Sequence, residues 1–258
     1  MASSSAVLRV VTDQGKGYLK ALGNPEGPQI LAREWVGTSL AKRFGLSTFQ
    51  FAVIQVTEDD DLPFAGGGKA LPGPAFITRA ESGAAWGGKE SELRKLVNPN
   101  DLARLMVFDT WIRNRDRHPP PGSPWQPARR NVFLSTEDVP EEQVRLKAMD
   151  HTHCLTWASS VTPRISAIEE VQDERVYGRF PEFEAWLDRP RVTRLLKELR
   201  EVTRDEIFQV ARGVPAAWDL NEAAREALVD FLSRRAAWLA DRLPGLLWAQ
   251  QEMNLDNV

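Results

Sequence analysis

The chain's 258 residues suffice for one large domain or for two lobes around a cleft, and 42% hydrophobic with 27% charged residues is a soluble globular composition. A net charge of −3 offers no basic surface to a nucleic acid or an anionic membrane, and no apolar run nears the roughly 20 residues that span a bilayer. The single Cys154 excludes an intrachain disulfide, and Met1–Leu8 lacks the basic start and apolar core of a secretion signal, so a cytoplasmic protein without nucleic-acid or membrane partners is expected.

In chain order, Ala6–Val11 and Gly17–Leu22 are short β-prone runs around the turn Asp13–Gly17, which predicts a hairpin with a glycine-containing tip. Gly23–Pro28 breaks the chain before a predicted helix from Gln29 to about Phe44. Phe49–Val56 and Pro74–Thr78 read as strands, joined by a glycine- and proline-rich stretch, 59–74, expected to be an exposed loop. Asp101 is a candidate N-cap for a helix running to about Arg113. Two short strands follow, near Asn131–Leu134 and Val144–Met149. Helical patterning returns after Arg164, most clearly from Asn221 to Leu243, where Ala224, Leu228, Phe231, Leu232 and Leu239 form one stripe and Arg and Glu cover the rest. Most of the nine tryptophans stand singly among apolar positions, as core residues do. Strands first and helices after predict a two-lobed α+β fold. A β-rich nucleotide-binding lobe would span 1–82 and a mostly helical catalytic lobe 83–258, with the boundary near Arg79–Gly88 and a cofactor cleft between them.

Several polar residues sit where chemistry would need them. Lys20 lies within the second strand, where it is either a solvent-facing lysine or one half of a pair. Glu34 favours the pair, because Ile30, Glu34, Gly37, Ala41 and Phe44 recur at helical offsets and put this carboxylate on an apolar stripe, where it needs a cation. Asp13-Gln-Gly15-Lys-Gly17 supplies flexible backbone that could close over phosphates, although it lacks a full G-x-G-x-x-G spacing, and no Walker-type run occurs. Asp116 sits among Arg113, Arg115, Arg117 and His118 at the end of an apolar segment, and reads either as a balanced surface carboxylate or as a group presented to orient a hydroxyl. Asp109, on the buried stripe, would bond the loop backbone or His118. Asn131 and Asp150 flank the two short strands; each alone is a common strand-end residue, but together with Asp116 they supply oxygen ligands of the kind magnesium prefers.

Asn114-Arg-Asp-Arg-His118 followed by an Asn, and Met149-Asp150-His-Thr-His153, resemble the catalytic loop and metal-binding strand of the HipA-like kinases, a branch of the protein-kinase-like fold. Tyr18-Leu-Lys20-Ala, Gly23-Asn-Pro-Glu-Gly27 and Glu34 resemble the family's nucleotide-binding half. The resemblance implies ATP and Mg2+ as cofactors and transfer of a phosphoryl group to a protein Ser/Thr hydroxyl, with an antitoxin or another regulatory protein as partner. It assigns Lys20 to the α/β-phosphates, Glu34 to positioning that lysine, and Asp116 to the catalytic base in a loop that includes His118. Asn131 and Asp150 would hold the metal, Gly15 and Gly17 would cover the nucleotide, and Ile77, Thr78, Arg79 and Ala80 would form the adenine-contacting hinge.

Two departures from the family pattern stand out. Twelve residues separate His118 from Asn131, where about three are usual, and this segment holds five prolines. It could gate the site, bind a partner or be neutral. The metal-site Asp is followed by His-Thr rather than Phe-Gly, and no Ala-Pro-Glu run follows, so activation-loop control is not implied. Three other readings remain open: a binding module that keeps the nucleotide without turnover, a kinase of lipids or small molecules, and a metal-dependent hydrolase built on His118, His151 and His153 with Asp116, Asp150 and Cys154.

Overall fold

The computed structural model of the protein describes residues 6–156 and 159–253; residues 1–5, read above for a secretion signal, lie outside them. The N-terminal part consists of β1 (Leu8–Thr12), β2 (Gly15–Lys20), α1 (Gln29–Arg43), β3 (Phe51–Val56) and β4 (Gly73–Arg79). The strands form one antiparallel sheet in the order β1-β2-β4-β3, with Tyr18 opposite Thr78 and Lys20 opposite Phe76. Side chains alternate across a strand, so Leu19 and Lys20 face opposite sides. Leu19 joins Ala21, Val56, Phe64, Ala70 and Ala75 in a small apolar cluster. Phe64 and Ala70 come from the stretch expected to be an exposed loop. Most of that stretch is exposed as expected, but Phe64 and Ala70 fold back because they cover a sheet face that would otherwise stay wet.

The remainder comprises β5 (Gly83–Ala85), α2 (Glu90–Leu93), α3 (Asn100–Ile112), β6 (Val132–Ser135), β7 (Arg145–Ala148), α4 (Ile168–Val171), α5 (Arg189–Glu201), α6 (Arg204–Arg212) and α7 (Glu222–Met253). β5, β6 and β7 make a second antiparallel sheet in that order. The chain is thus an α+β protein with a sheet-built N-terminal region and a helical C-terminal part. The main core runs through α1, α3 and the C-terminal helices; Leu31, Val36, Leu105, Phe108, Trp111, Leu199, Phe231 and Leu239 are all buried in it. Helix α1 therefore belongs to the same packed body as α3, and its Glu34 is fixed relative to the loop that follows α3.

Three local expectations change. Asp101 is not the N-cap of α3, which begins one residue earlier behind Pro99. The Asp101 carboxylate instead accepts from Asn98 Nδ2 and from the Ser47 backbone N–H, tying the helix start to the segment after α1. Helix α7 does not stop at Leu243 but continues past Pro244 to a kink at Trp248, because Leu243 and Leu247 both remain in the core and outweigh the lost hydrogen bond. Arg235, counted among the solvent-side charges of α7, is buried and donates to the carbonyls of Thr110, Trp111, Val171 and Asp173. It thereby satisfies carbonyls that the end of α3 leaves unpaired.

Candidate active site

A cavity of about 390 Å³ opens between the two sheets. Phe49, Phe76, Phe133, Ala85, Ala148 and Met149 line it on apolar ground, and Lys20, Glu34, Asn131 and Asp150 supply its charged and polar end. Phe49 and Phe133 pack with ring centroids 5.1 Å apart. Glu81 also borders the cavity, held by Ser135 Oγ at 2.8 Å and Lys147 Nζ at 2.5 Å. A flat aromatic base and a polyphosphate would partition naturally between these two ends.

At the polar end Lys20 Nζ donates to Glu34 Oε2 at 2.7 Å and to Asp150 Oδ1 at 3.0 Å. Burial opposes the charge on Lys20, but the two carboxylates outweigh it and raise the lysine above its ordinary range. Burial likewise opposes ionisation of Glu34, yet Lys20 and His151 hold it at about 2. Asp150 is also depressed, its desolvation overcome by Lys20 and by a hydrogen bond from Thr152. Glu34 is gripped further by the His151 backbone N–H at 3.0 Å and by Thr38 Oγ1 at 3.2 Å, and Thr38 Oγ1 also lies 3.1 Å from His151 Nδ1. His151 can sit this close to α1 only because residue 37 is glycine; a Cβ there would stand 2.4 Å from His151 Cβ.

Asp116 follows the left-handed Arg113 that ends α3. Asn131 Nδ2 donates to Asp116 Oδ2 at 2.5 Å, joining the two despite the intervening insertion. The insertion leaves and returns at nearly one point, since the Ala128 N–H donates to the carbonyls of Asp116 and Arg117 at 3.2 and 2.9 Å. Arg117 is fully buried and binds the pieces together. Its guanidinium pairs with Asp109 and donates to the carbonyls of Asn131 at 3.1 Å and Met149 at 2.7 Å. Asp109 thus bonds Arg117, with Asn114 Nδ2 at 3.2 Å, rather than His118.

Of the residues singled out in the sequence, Lys20, Glu34, Asp116, Asn131, Asp150 and Thr78 come together in or beside the cavity. His118 does not join them. Its ring packs edge-on against Phe180, 4.7 Å between centroids, and burial holds it below the ordinary histidine range. Gly15, Gly17, Ile77, Arg79 and Ala80 do not line the cavity either. Strand alternation explains this for β4: Phe76 and Thr78 face inward, while Ile77 packs on the small outer cluster and against Gly17. Arg117 and His151 were read in the sequence as a charge beside Asp116 and as a hydrolase ligand, and their bracing of Asn131, Met149 and Glu34 was missed; the signal for Arg117 was its place in an otherwise buried stretch.

The donor set suits a hard cation shared with phosphate. Asn131 turns its amide nitrogen to Asp116, leaving Oδ1 available, and Asp150 uses Oδ1 for Lys20 and Thr152, leaving Oδ2. Among the described residues no group of three or more His, Cys, Asp or Glu side chains stands close enough to hold a metal ion by itself. The histidines of the hydrolase reading are dispersed, with His118 on Phe180, His151 on Thr38 and His153 on Glu26.

A strand lysine paired to a helix glutamate, with an Asp, an Asn and a second Asp facing it across a cleft, is the arrangement of a protein-kinase-like fold. The profile of the HipA-like kinases matches residues 10–239, and the chain belongs to that family. Its fold is similar to the crystal structure of a Helicobacter pylori proinflammatory kinase, CtkA, with a TM-score of 0.59 over 91% of this chain and 88% of that one. Identity between the two is 12%, so the likeness concerns the fold. No curated protein sequence matches the chain. Among the described residues no helix is long and apolar enough to cross a membrane.

Proposed function

We propose that the chain is an ATP-dependent phosphotransferase that uses Mg2+ and delivers the γ-phosphoryl group to a serine or threonine hydroxyl of a protein. The observation that carries this reading is the convergence, at one end of one cavity, of the Lys20–Glu34–Asp150 chain with the Asp116–Asn131 pair. The aromatic end of the cavity takes the base and directs the phosphates toward Lys20. Lys20 keeps its proton because two carboxylates face it, so it meets the α/β-phosphates as a cation. Glu34, anchored on α1 by Thr38 and the His151 N–H, holds that ammonium in place. Mg2+ bound with the nucleotide supplies neutralisation of phosphate charge, and Asn131 and Asp150 are the residues that would hold it. Asp116 orients the acceptor hydroxyl and receives its proton as the oxygen attacks. Arg117 fixes the backbone on both sides of this constellation, so the oxygens need little reorganisation during transfer.

The test is transfer of label from γ-labelled ATP in the presence of Mg2+ and a cell extract, with the wild type beside Asp116→Asn and Asp150→Asn. Both variants should lose transfer by roughly 10²–10⁴-fold, and Asp150→Asn should also weaken Mg2+-dependent nucleotide binding. Equal labelling by wild type and Asp116→Asn would end this mechanism; label found only in lipid or small-molecule fractions would move the acceptor to another class.

A further inference from the structure

His153 is left over by the reading above, yet it stands beside the group that reading makes the base. Its Nδ1 lies 3.3 Å from Thr152 Oγ1 and, beyond hydrogen-bond but within ion-pair reach, 3.9 Å from Asp116 Oδ2, while its Nε2 lies 3.1 Å from Glu26 Oε2. The three side chains form a carboxylate–imidazole–carboxylate line. Glu26 comes from the turn between β2 and α1, His153 from the turn after Asp150, and Asp116 from the loop after α3, so the line ties all three segments of the site together.

Each end is built rather than loose. Asn24 Oδ1 accepts from the Glu26 N–H at 3.0 Å, and the Gly27 N–H donates to the Asn24 carbonyl at 2.9 Å, which shapes the turn presenting Glu26. On the other side Cys154 is buried with its N–H on the His151 carbonyl, and the Leu155 N–H donates to the carbonyl of Ile112 at the end of α3. His153 thus sits on a turn pinned at both flanks, its side chain only 13% exposed. Asn131 and His153 both address the same oxygen of Asp116, which leaves Oδ1 as the oxygen open to a hydroxyl. The charged and titratable groups facing the ring include Glu26, Asp116 and Asp150, and the hydrogen bond to Glu26, ahead of the two aspartates, raises His153 above the ordinary histidine range.

We propose that His153, held by Glu26 and Thr152, is a positioning residue for Asp116: Asn131 holds Oδ2 by a hydrogen bond, the ring attracts the same oxygen electrostatically from a second side, and together they aim Oδ1 at the acceptor hydroxyl. The inference rests on the kinase reading of Asp116. A group that loses one of its two lateral contacts samples orientations that cannot accept the proton, and a small misplacement of a reacting atom is costly. Glu26 acts only through the ring, so its removal should be redundant once the ring is gone.

The experiment follows the rate at which label leaves γ-labelled ATP, to water and protein together, for the wild type, His153→Gln, Glu26→Gln, the double variant and Asp116→Asn. Fluorescence-detected ATP affinity and urea midpoints are measured on the same proteins. His153→Gln should lower kcat roughly 10- to 100-fold with ATP affinity within about twofold, since His153 does not line the cavity. Glu26→Gln should lower kcat less, and the double variant should match His153→Gln. Imidazole NMR gives a second readout that a merely structural histidine would not move: the His153 titration midpoint should fall in Asp116→Asn and in Glu26→Gln. An unchanged kcat in His153→Gln, a fall matched by equal loss of ATP affinity, or a His153 midpoint indifferent to Asp116→Asn would overturn the proposal. A wild-type protein that consumes no ATP, or an Asp116→Asn variant as active as wild type, would refute the kinase reading beneath it instead.

Discussion

Replacing Lys20 by methionine tests the electrostatic centre of the site. The substitution keeps a linear side chain in the strand but leaves Glu34 and Asp150 facing each other without their cation. Glu34 is 3% exposed and is held at about 2 against an ordinary 4.5. At about 1.4 kcal/mol per pKa unit this corresponds to roughly 3 kcal/mol of folding stability at neutral pH. The cost of breaking a buried ion pair from one side, about 3–5 kcal/mol, agrees with it. Because the folded-state value is depressed, this stabilisation is fully present above about pH 4.5 and is lost as pH falls through about 2. The gap between wild type and Lys20→Met should therefore be full at pH 7 and shrink to about half by pH 3. Urea unfolding followed by tryptophan fluorescence at the two pH values reads both quantities. Adding Glu34→Gln to Lys20→Met should recover roughly 1 kcal/mol or more by removing one orphaned carboxylate. A loss below about 1 kcal/mol at pH 7, or a gap of equal size at pH 3, would show that the three charges are not the buried, mutually dependent set described above.

Three further outcomes follow from single contacts. Gly37→Ala would ordinarily strengthen a helix by about 1 kcal/mol, but its Cβ would meet His151 at 2.4 Å, so the Tm should fall with a net loss of about 1–3 kcal/mol; a raised Tm would contradict the packing of His151 on α1. Arg117→Lys forfeits the fork that reaches the carbonyls of Asn131 and Met149, so the Mg2+ concentration giving half-maximal activity should rise roughly 10- to 100-fold; a wild-type Mg2+ titration curve would argue against Arg117 as the brace. Asp173 is held at about 2, against burial, by Arg175, Tyr177 and Arg113, so Asp173→Asn should cost about 1.5–3 kcal/mol at neutral pH. That difference should fade as pH drops from about 3.8 through about 2, and chemical denaturation at pH 7 and pH 2 would expose a reading with the wrong sign.

What the sequence disclosed depended on whether a residue's partners share its periodicity. Glu34 was legible because a carboxylate on an apolar helical stripe must find a cation, and Lys20 was the nearest candidate upstream. Arg235 was equally legible in principle. It falls between Phe231, Leu232 and Leu239 on the buried stripe of α7, yet its partners are five backbone carbonyls, which no side-chain pattern announces. Arg113, Arg115 and Arg117 were read as one charged cluster around Asp116, but Arg113 and Arg117 turn away from it. Arg113 turns to Glu170 and Asp173, Arg117 turns inward to Asp109, and Asp116 is left to Asn131 and His153. That divergence comes from the left-handed Arg113, where the chain leaves the helix and the helical offsets stop applying. For the same reason His118, two residues past Asp116, lands on Phe180 rather than in the cleft.

The proline-rich insertion shows why spacing misjudges distance in this protein. Twelve residues between His118 and Asn131 set the family's usual register aside, and on spacing alone Asn131 was the site residue least securely placed. The structure makes the length immaterial by closing the excursion at its neck, where the Ala128 N–H reaches back to the carbonyls of Asp116 and Arg117. From that point only three residues lead to Asn131, and the Arg117 guanidinium captures the Asn131 carbonyl directly. Lengthening a loop whose ends are already held together adds little closure entropy, about 0.6 kcal/mol per doubling. An insertion there can therefore change without moving the Asp116–Asn131 contact, provided the residues that form the neck keep their backbone hydrogen bonds. Arg117 is thereby the residue on which the tolerance rests, since it binds the segment before the insertion, the one after it and the carbonyl preceding Asp150 at once.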